Sequence, residues 1–270
     1  MFGADVAIIE HHLPGWTLTL FRLAGVFMLT PVLGQQTIPR QIKALLLVVM
    51  TMAVYPSLAA SGMPTGHWMA NLQEGGMTIP SAAAAIGNEL INGMVIGYAL
   101  LIPIAGMQLA GHMIDQQLGL GLAQIYNPEF NTEAGIGEQF LYLTGLAIFI
   151  TFGGLEIVFG IVRQSFGVIP LGDSIDPARV GEMAVGLLGL MMQVGVRIAA
   201  PLLCLILLET LAMGFVARTM PQLNILSIGF ALRILVGGTL VAVTLGSCGD
   251  VYTEAMRTVL RTLSGFFACG

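Results

Sequence analysis

Two nearly unbroken apolar runs, "APLLCLILLETLAMGFVA" and "ILSIGFALRILVGGTLVAVTLG", constrain this chain more than any other feature, and only the seven residues "RTMPQLN", Arg218 to Asn224, separate them. A helix of about 20 apolar residues spans the hydrocarbon of a bilayer. Further runs of that kind occupy 16–34, 42–60, 78–111 and 139–162, beside 183–217 and 225–246. Composition agrees: 56% of the 270 residues are hydrophobic, 9% are charged and the mean hydropathy is +0.87. Globular domains carry about 25% charged residues. The expected fold class is therefore all-α, an integral membrane protein of hydrophobic helices and helical hairpins. The longest polar stretches, 61–76 and 112–138, are loop-sized, so one integrated unit over 1–270 is expected.

Charge and cysteine content exclude several functions. The net charge of -5 comes from 10 basic and 15 acidic residues with no basic cluster, so nucleic acid is not an expected partner. Cys204, Cys248 and Cys269 fit no C-x-x-C pattern and read as small packing residues. His11, His12, His67 and His112 lack ligand spacing. "GLGLAQ" has neither the ending nor the preceding strand of a nucleotide loop. No serine has a histidine at readable spacing, so no catalytic, metal or cofactor site is expected.

Topology resists a simple parse. The N-terminal "MFGADVAIIEHHLPGW" has two acids and no basic residue, which argues against a cleaved signal, and this acidic start followed by Arg40 and Lys43 after the first run argues for an outer N-terminus. The third and fifth runs are too long for one straight span and contain Pro103 and Pro201, where kinks are expected. If 78–111 doubles back near Pro103, Arg163, Arg179, Arg257 and Arg261 fall on the inner side, but Arg218 does not. Helices enclosed by protein rather than lipid would escape these rules. Ionisable residues within the runs point the same way: Arg22, Glu89, Glu156, Arg197, Glu209 and Arg233. Each would be costly facing lipid, by about 2.5–3.5 kcal/mol. They either pair with one another or another subunit, or line an ion or substrate path. Glycines four apart, as at Gly93 and Gly97, predict close helix packing.

Residues 112–139, "HMIDQQLGLGLAQIYNPEFNTEAGIGEQ", are acidic, glycine-rich and without a basic residue. They suit an exposed loop or a segment folded into an aqueous passage.

Three stretches resemble the FliR/SctT export-gate proteins of flagellar and type III secretion systems. They are "FRLAGVFMLTPVLGQQTIPRQIKALLLVVMTMAVYP" (21–56), the region from "ELINGMVIGYAL" through "GLGLAQIYNPEFN" to "SFGVIPLG" (89–172), and "APLLCLILLETLAMGFVARTMPQLNILSIGFALRILVGG" (200–238). Together they cover about 17–245 in order. The chain departs from the family at Glu156, near a common histidine, and at its two ends. The resemblance implies a non-enzymatic, multi-pass protein of the bacterial inner membrane, in a flagellar basal body or an injectisome. It would be part of the channel through which unfolded proteins are exported. Its implied partners are FliP-like and FliQ-like subunits, with FlhB-like and FlhA-like proteins beyond them. Residues 1–180 would be the FliP-like part, and 181–270 the FliQ-like hairpin. It also implies a channel-plugging loop at about 112–130, with Gln116, Gln117, Leu118, Gly119, Leu120, Gly121, Asn127 and Pro128. "RTMPQLN" then becomes a hairpin tip in which Pro221 ends a helix, Gln222 and Asn224 satisfy freed backbone groups, and Arg218 meets a helix C-terminus. That tip is either a plain turn or an assembly contact. A solute transporter with helices broken at Pro103 and Pro201, using Glu89 or Glu209 as coupling groups, is the alternative.

Overall fold

The computed structural model describes residues 2–34, 38–60, 78–119, 135–220 and 225–268. Among them the only regular elements are helices: α1 (Phe2–Leu29), α2 (Arg40–Ala60), α3 (Ile79–Leu118), α4 (Ile136–Thr151), α5 (Gly154–Val168), α6 (Pro177–Thr219) and α7 (Ile225–Ala268). Leu, Ala and Met favour helix intrinsically, and a helix satisfies its own backbone where water is absent. By length and apolar content α2, α3 and α6 are each able to cross a bilayer, and the α4–α5 pair adds a fourth span if taken as one.

Two expectations need correction. Residues 78–111 do not double back at Pro103, because α3 runs on through the proline as one helix of 40 residues. A proline costs the helix one hydrogen bond, and the apolar turns on both sides retain theirs. Conversely, the run 139–162 is not a single helix. It breaks at Phe152–Gly153, where Gly153 adopts φ 70°, a left-handed conformation that glycine reaches without a Cβ clash. Apolar counting cannot register a backbone torsion, so both errors have one source. The start of α6 also lies six residues earlier than its apolar run. Asp176 accepts a hydrogen bond from the Ala178 N–H at 3.0 Å and Pro177 takes the first helical position, a capped start that composition hides.

The chain forms two compact units. The first comprises Met1–Leu101, Gly153–Gly186 and Val259–Gly270, and the second Ile102–Phe152 and Leu187–Thr258. In the first, α1 lies directly on α3. A Cβ at Gly93 would stand 2.0 Å from the Arg22 carbonyl oxygen, and one at Gly25 2.3 Å from that of Leu90. The glycine spacing seen in the sequence is thus used for backbone contact. Leu23, Val26, Ile96, Ala99 and Leu100 are buried around it. Helix α2 packs on α1 and touches α5.

In the second unit, the later turns of α3 pack on α6 through Gly106 against Val194 and Leu109 against Gly195, and on α4 through Met107 against Gly145. Helices α6 and α7 form an antiparallel hairpin: Met213 meets Gly229, Glu209 meets Arg233, and Arg197 meets Glu254, one number falling as the other rises.

Candidate functional site

The six ionisable residues of the apolar runs separate into three classes. Arg22 and Glu89 form a fully buried pair. Arg22 donates from Nε to Glu89 Oε2 at 2.5 Å and from Nη2 to Oε1 at 3.0 Å, and both side chains are 0% exposed. The remaining valence of the pair is also used. Arg22 donates to Ser165 Oγ at 3.3 Å and to the Ile169 carbonyl at 3.1 Å, and its guanidinium lies 4.2 Å from the Phe166 ring centre. Glu89 Oε1 accepts the Gly172 N–H at 2.7 Å. Asn88 and Asn92 donate to the carbonyls of Gly172 and Asp173. Helix α3 therefore holds the segment between α5 and α6 by its backbone, with Gly172 at φ 88° making the turn. A planar, bidentate guanidinium suits this task better than a lysine. Of the two sequence readings, pairing describes these residues; no solvent reaches them.

Glu209 and Arg233 make the second class, 3.2 Å apart, with the carboxylate nearly buried and the guanidinium 31% exposed. Arg233 also donates to Thr210 Oγ1 at 3.1 Å and to the Gln117 carbonyl at 3.3 Å. One side chain thus ties the α6–α7 hairpin to the last turn of α3, an end carbonyl that the helix leaves unpaired. The third class corrects the expectation of buried charge. Arg197 pairs with Glu254 at 2.5 Å, but these side chains are 53% and 62% exposed. Glu156 is exposed in the first turn of α5, where a carboxylate complements the helix dipole. An apolar neighbourhood in sequence does not imply burial, because a helix turns every residue onto a different face.

The last turns of α3 form a further cluster. Residues 112–118 were expected within a loop, and the structure makes them helical. Gln116 and Gln117 are exposed, and Leu118 is buried against Gly237. Gly119, at φ 73°, ends the helix beside the Phe230 ring. Leu120, Gly121, Asn127 and Pro128 lie outside the described residues. The base of that stretch is tied by a residue whose role sequence reasoning missed, Asp115, which is 5% exposed. Its carboxylate accepts the N–H groups of Gly137 and Glu138 at 2.9 and 2.8 Å. It thereby caps α4 from 22 and 23 positions away. Residues 134 and 135 are Ala and Gly, so α4 has no Ser, Thr, Asp or Asn cap of its own. That missing local cap, with two glycines around the helix start, is the signal that the sequence did carry. A Cβ at Gly135 would stand 2.1 Å from the Asp115 carboxylate. Glu138 joins the same cluster, accepting from Gln108 Nε2 at 2.8 Å and pairing with His112 at 3.2 Å. His112 is in turn 2.9 Å from Gln116.

The hairpin tip is described in part. Arg218 is exposed in the last turn of α6, which closes with the Met220 N–H donating to the Val216 carbonyl at 2.9 Å. Pro221, Gln222 and Asn224 lie outside the described residues, and α7 begins at Ile225. Among the described residues no group of three or more His, Cys, Asp or Glu side chains is placed to hold a metal ion.

Comparison with known proteins closes the question of kinship. The chain is similar to the flagellar biosynthetic protein FliR of Escherichia coli, at 26% identity over 91% of both chains. It is similar to the protein of that name in Bacillus subtilis, at 23% identity over 94% of this chain and 95% of the other. The Yop proteins translocation protein T of Yersinia pestis is 24% identical over 95% of this chain and 94% of its own. Residues 13–259 match the family described as bacterial export proteins, family 1, which takes in the Arg22–Glu89 pair, the Asp115 cap and the α6–α7 hairpin, and the chain belongs to that family.

Proposed function

We propose that this protein is a subunit of the flagellar or type III protein export gate and forms part of the inner-membrane channel for unfolded substrates. The observation that carries the reading is the convergence of two segments that the family resemblance singles out. Arg233, from the hairpin, holds the carbonyl of Gln117, one of the residues assigned to the plug loop of about 112–130. Asp115 and Glu138 join the helices on its two sides. In this reading the loop of about 112–130 is the plug of the closed channel: Gln116, Gln117, Leu118 and Gly119 lie at the end of α3, Leu120, Gly121, Asn127 and Pro128 follow them, and its base is held by protein. Residues 1–180 act as a FliP-like part and 181–270 as a FliQ-like part. Arg218, Pro221, Gln222 and Asn224 contact neighbouring subunits at the hairpin tip. The partners are FliP-like and FliQ-like subunits, with FlhB-like and FlhA-like proteins adjoining. The role is structural, without bond-making chemistry.

The test is deletion of 120–130, within the proposed plug, in the native host. Unchanged secretion with a new ion leak across the membrane supports the plug reading, whereas a membrane that stays tight refutes it. Alanine at Arg218 and Asn224 is expected to weaken gate assembly while the chain still inserts. The transporter alternative needs a carboxylate free to take up a coupling ion. Glu89 and Glu209 are each engaged by an arginine, which weighs against it.

A further inference from the structure

Helices α1 and α2 leave a cleft that the proposed channel role does not use. It has a volume of about 240 Å³, and its walls are Ala24, Phe27 and Met28 of α1 with Lys43, Ala44 and Leu47 of α2. Every side chain there is apolar except Lys43, which is half-buried and makes no ion pair among the described residues. Arg40, exposed and likewise unpaired, lies three positions before it. Arg40, Lys43 and Leu47 follow the three-and-four spacing of one helical face. No acid occupies the first turn of α2, so both cations stand at the positive end of its dipole, where positive charge is unfavourable. The helix dipole therefore does not favour them, and an anionic group beside them offsets that cost. The other face of α2 exposes Ile42, Leu45, Val49 and Met52, at 51–66% of their surface, along a helix apolar enough to cross a bilayer, with only 11% of the residues in its apolar stretch buried. The cleft itself is apolar beside the cations, with Met28 63% exposed at its rim, and a cationic head beside an apolar groove is the complement of an amphiphile with a negative head and a hydrocarbon tail.

We infer that the α1–α2 cleft binds an anionic phospholipid, with its phosphate held by Lys43 and Arg40 and one acyl chain lying over Leu47 and Met28. Free phosphate meets the charge but leaves the apolar walls unfilled. An acidic segment of a neighbouring protein meets the charge but has no need of the apolar walls beside it.

The test uses the full chain, delipidated in mild detergent and reloaded with phosphatidylglycerol or with phosphatidylcholine of the same acyl chains, followed by native mass spectrometry. Phosphatidylglycerol is expected to be retained about fivefold better, and Lys43→Gln to reduce it to the phosphatidylcholine level. Leu47→Trp, which fills the cleft and leaves both cations in place, is expected to lower retention of both lipids. Met52→Gln, on the other face, is expected to leave both unchanged, and circular dichroism of each variant shows that the helices persist. Equal retention of the two lipids, no effect of either cleft variant, or full displacement of the lipid by inorganic phosphate overturns the proposal. So does a photo-crosslinker at Lys43 that, in the complex isolated from cells, captures a protein chain and no lipid.

Discussion

The Arg22–Glu89 pair and the Asp115 cap both place charge out of water, and they are built on opposite plans. The pair is sealed: two full charges neutralise each other, both side chains are wholly buried, and their other bonds go to a short backbone segment. The cap is a lone carboxylate answered by two backbone N–H groups at a helix start, surrounded by His112, Gln116 and Gln117, which are exposed. A buried pair whose partners are all fixed is a rigid joint. A carboxylate on a helix terminus is a weaker joint that costs little to open, because its alternative is water. The stronger of the two sits within the helix packing of the first unit, and the weaker sits at the base of the loop proposed as the channel plug.

The largest effect that would break this contrast is at Glu89. Glu89→Leu strands a buried guanidinium, and loss of about 3–5 kcal/mol is expected, seen as failure to accumulate in membranes. The double variant Arg22→Met with Glu89→Leu should recover much of that loss. If the double is as poor as the single, the pair is more than a neutral joint. Gly93→Ala comes next. Its methyl would meet the Arg22 carbonyl, and about 1–3 kcal/mol of overpacking should appear as a lower thermal midpoint of the purified complex.

Asp115→Ala is smaller, about 1 kcal/mol on the scale of helix caps. Its signature is local: faster hydrogen exchange at the Gly137 and Glu138 amides, with exchange around Gly172 unchanged. If the two regions respond together, they are not independent joints. The smallest effects are expected at Glu156→Gln and Arg197→Ala, where exposed charges contribute little. Either variant should export and assemble as the parent does. A strong defect would mean that these exposed groups meet another subunit.

Much of this was legible in the sequence. The apolar runs marked the helices, because helix formation in a dry environment follows from composition and length alone. The pairing of Arg22 with Glu89 and of Arg233 with Glu209 was allowed by charge balance, and the Gly93–Gly97 spacing anticipated the close approach of α1 and α3. Which arginine takes which glutamate was not legible, since partners stand 67 and 24 positions apart. Arg197 chose Glu254, a residue never counted among the buried charges.

By itself, the sequence determined an all-helical membrane chain, its kinship and the stretches to watch. Those depend on local physics: apolar length, glycine spacing and the order of motifs. Only the tertiary structure decided that α3 passes through Pro103 unbroken, that Gly153 splits a run that looks continuous, and that Asp115 caps a helix beginning at Ile136. Each of these depends on a torsion or on a partner far along the chain. Hydropathy sums over neighbours in sequence, and neither quantity is a property of such neighbours.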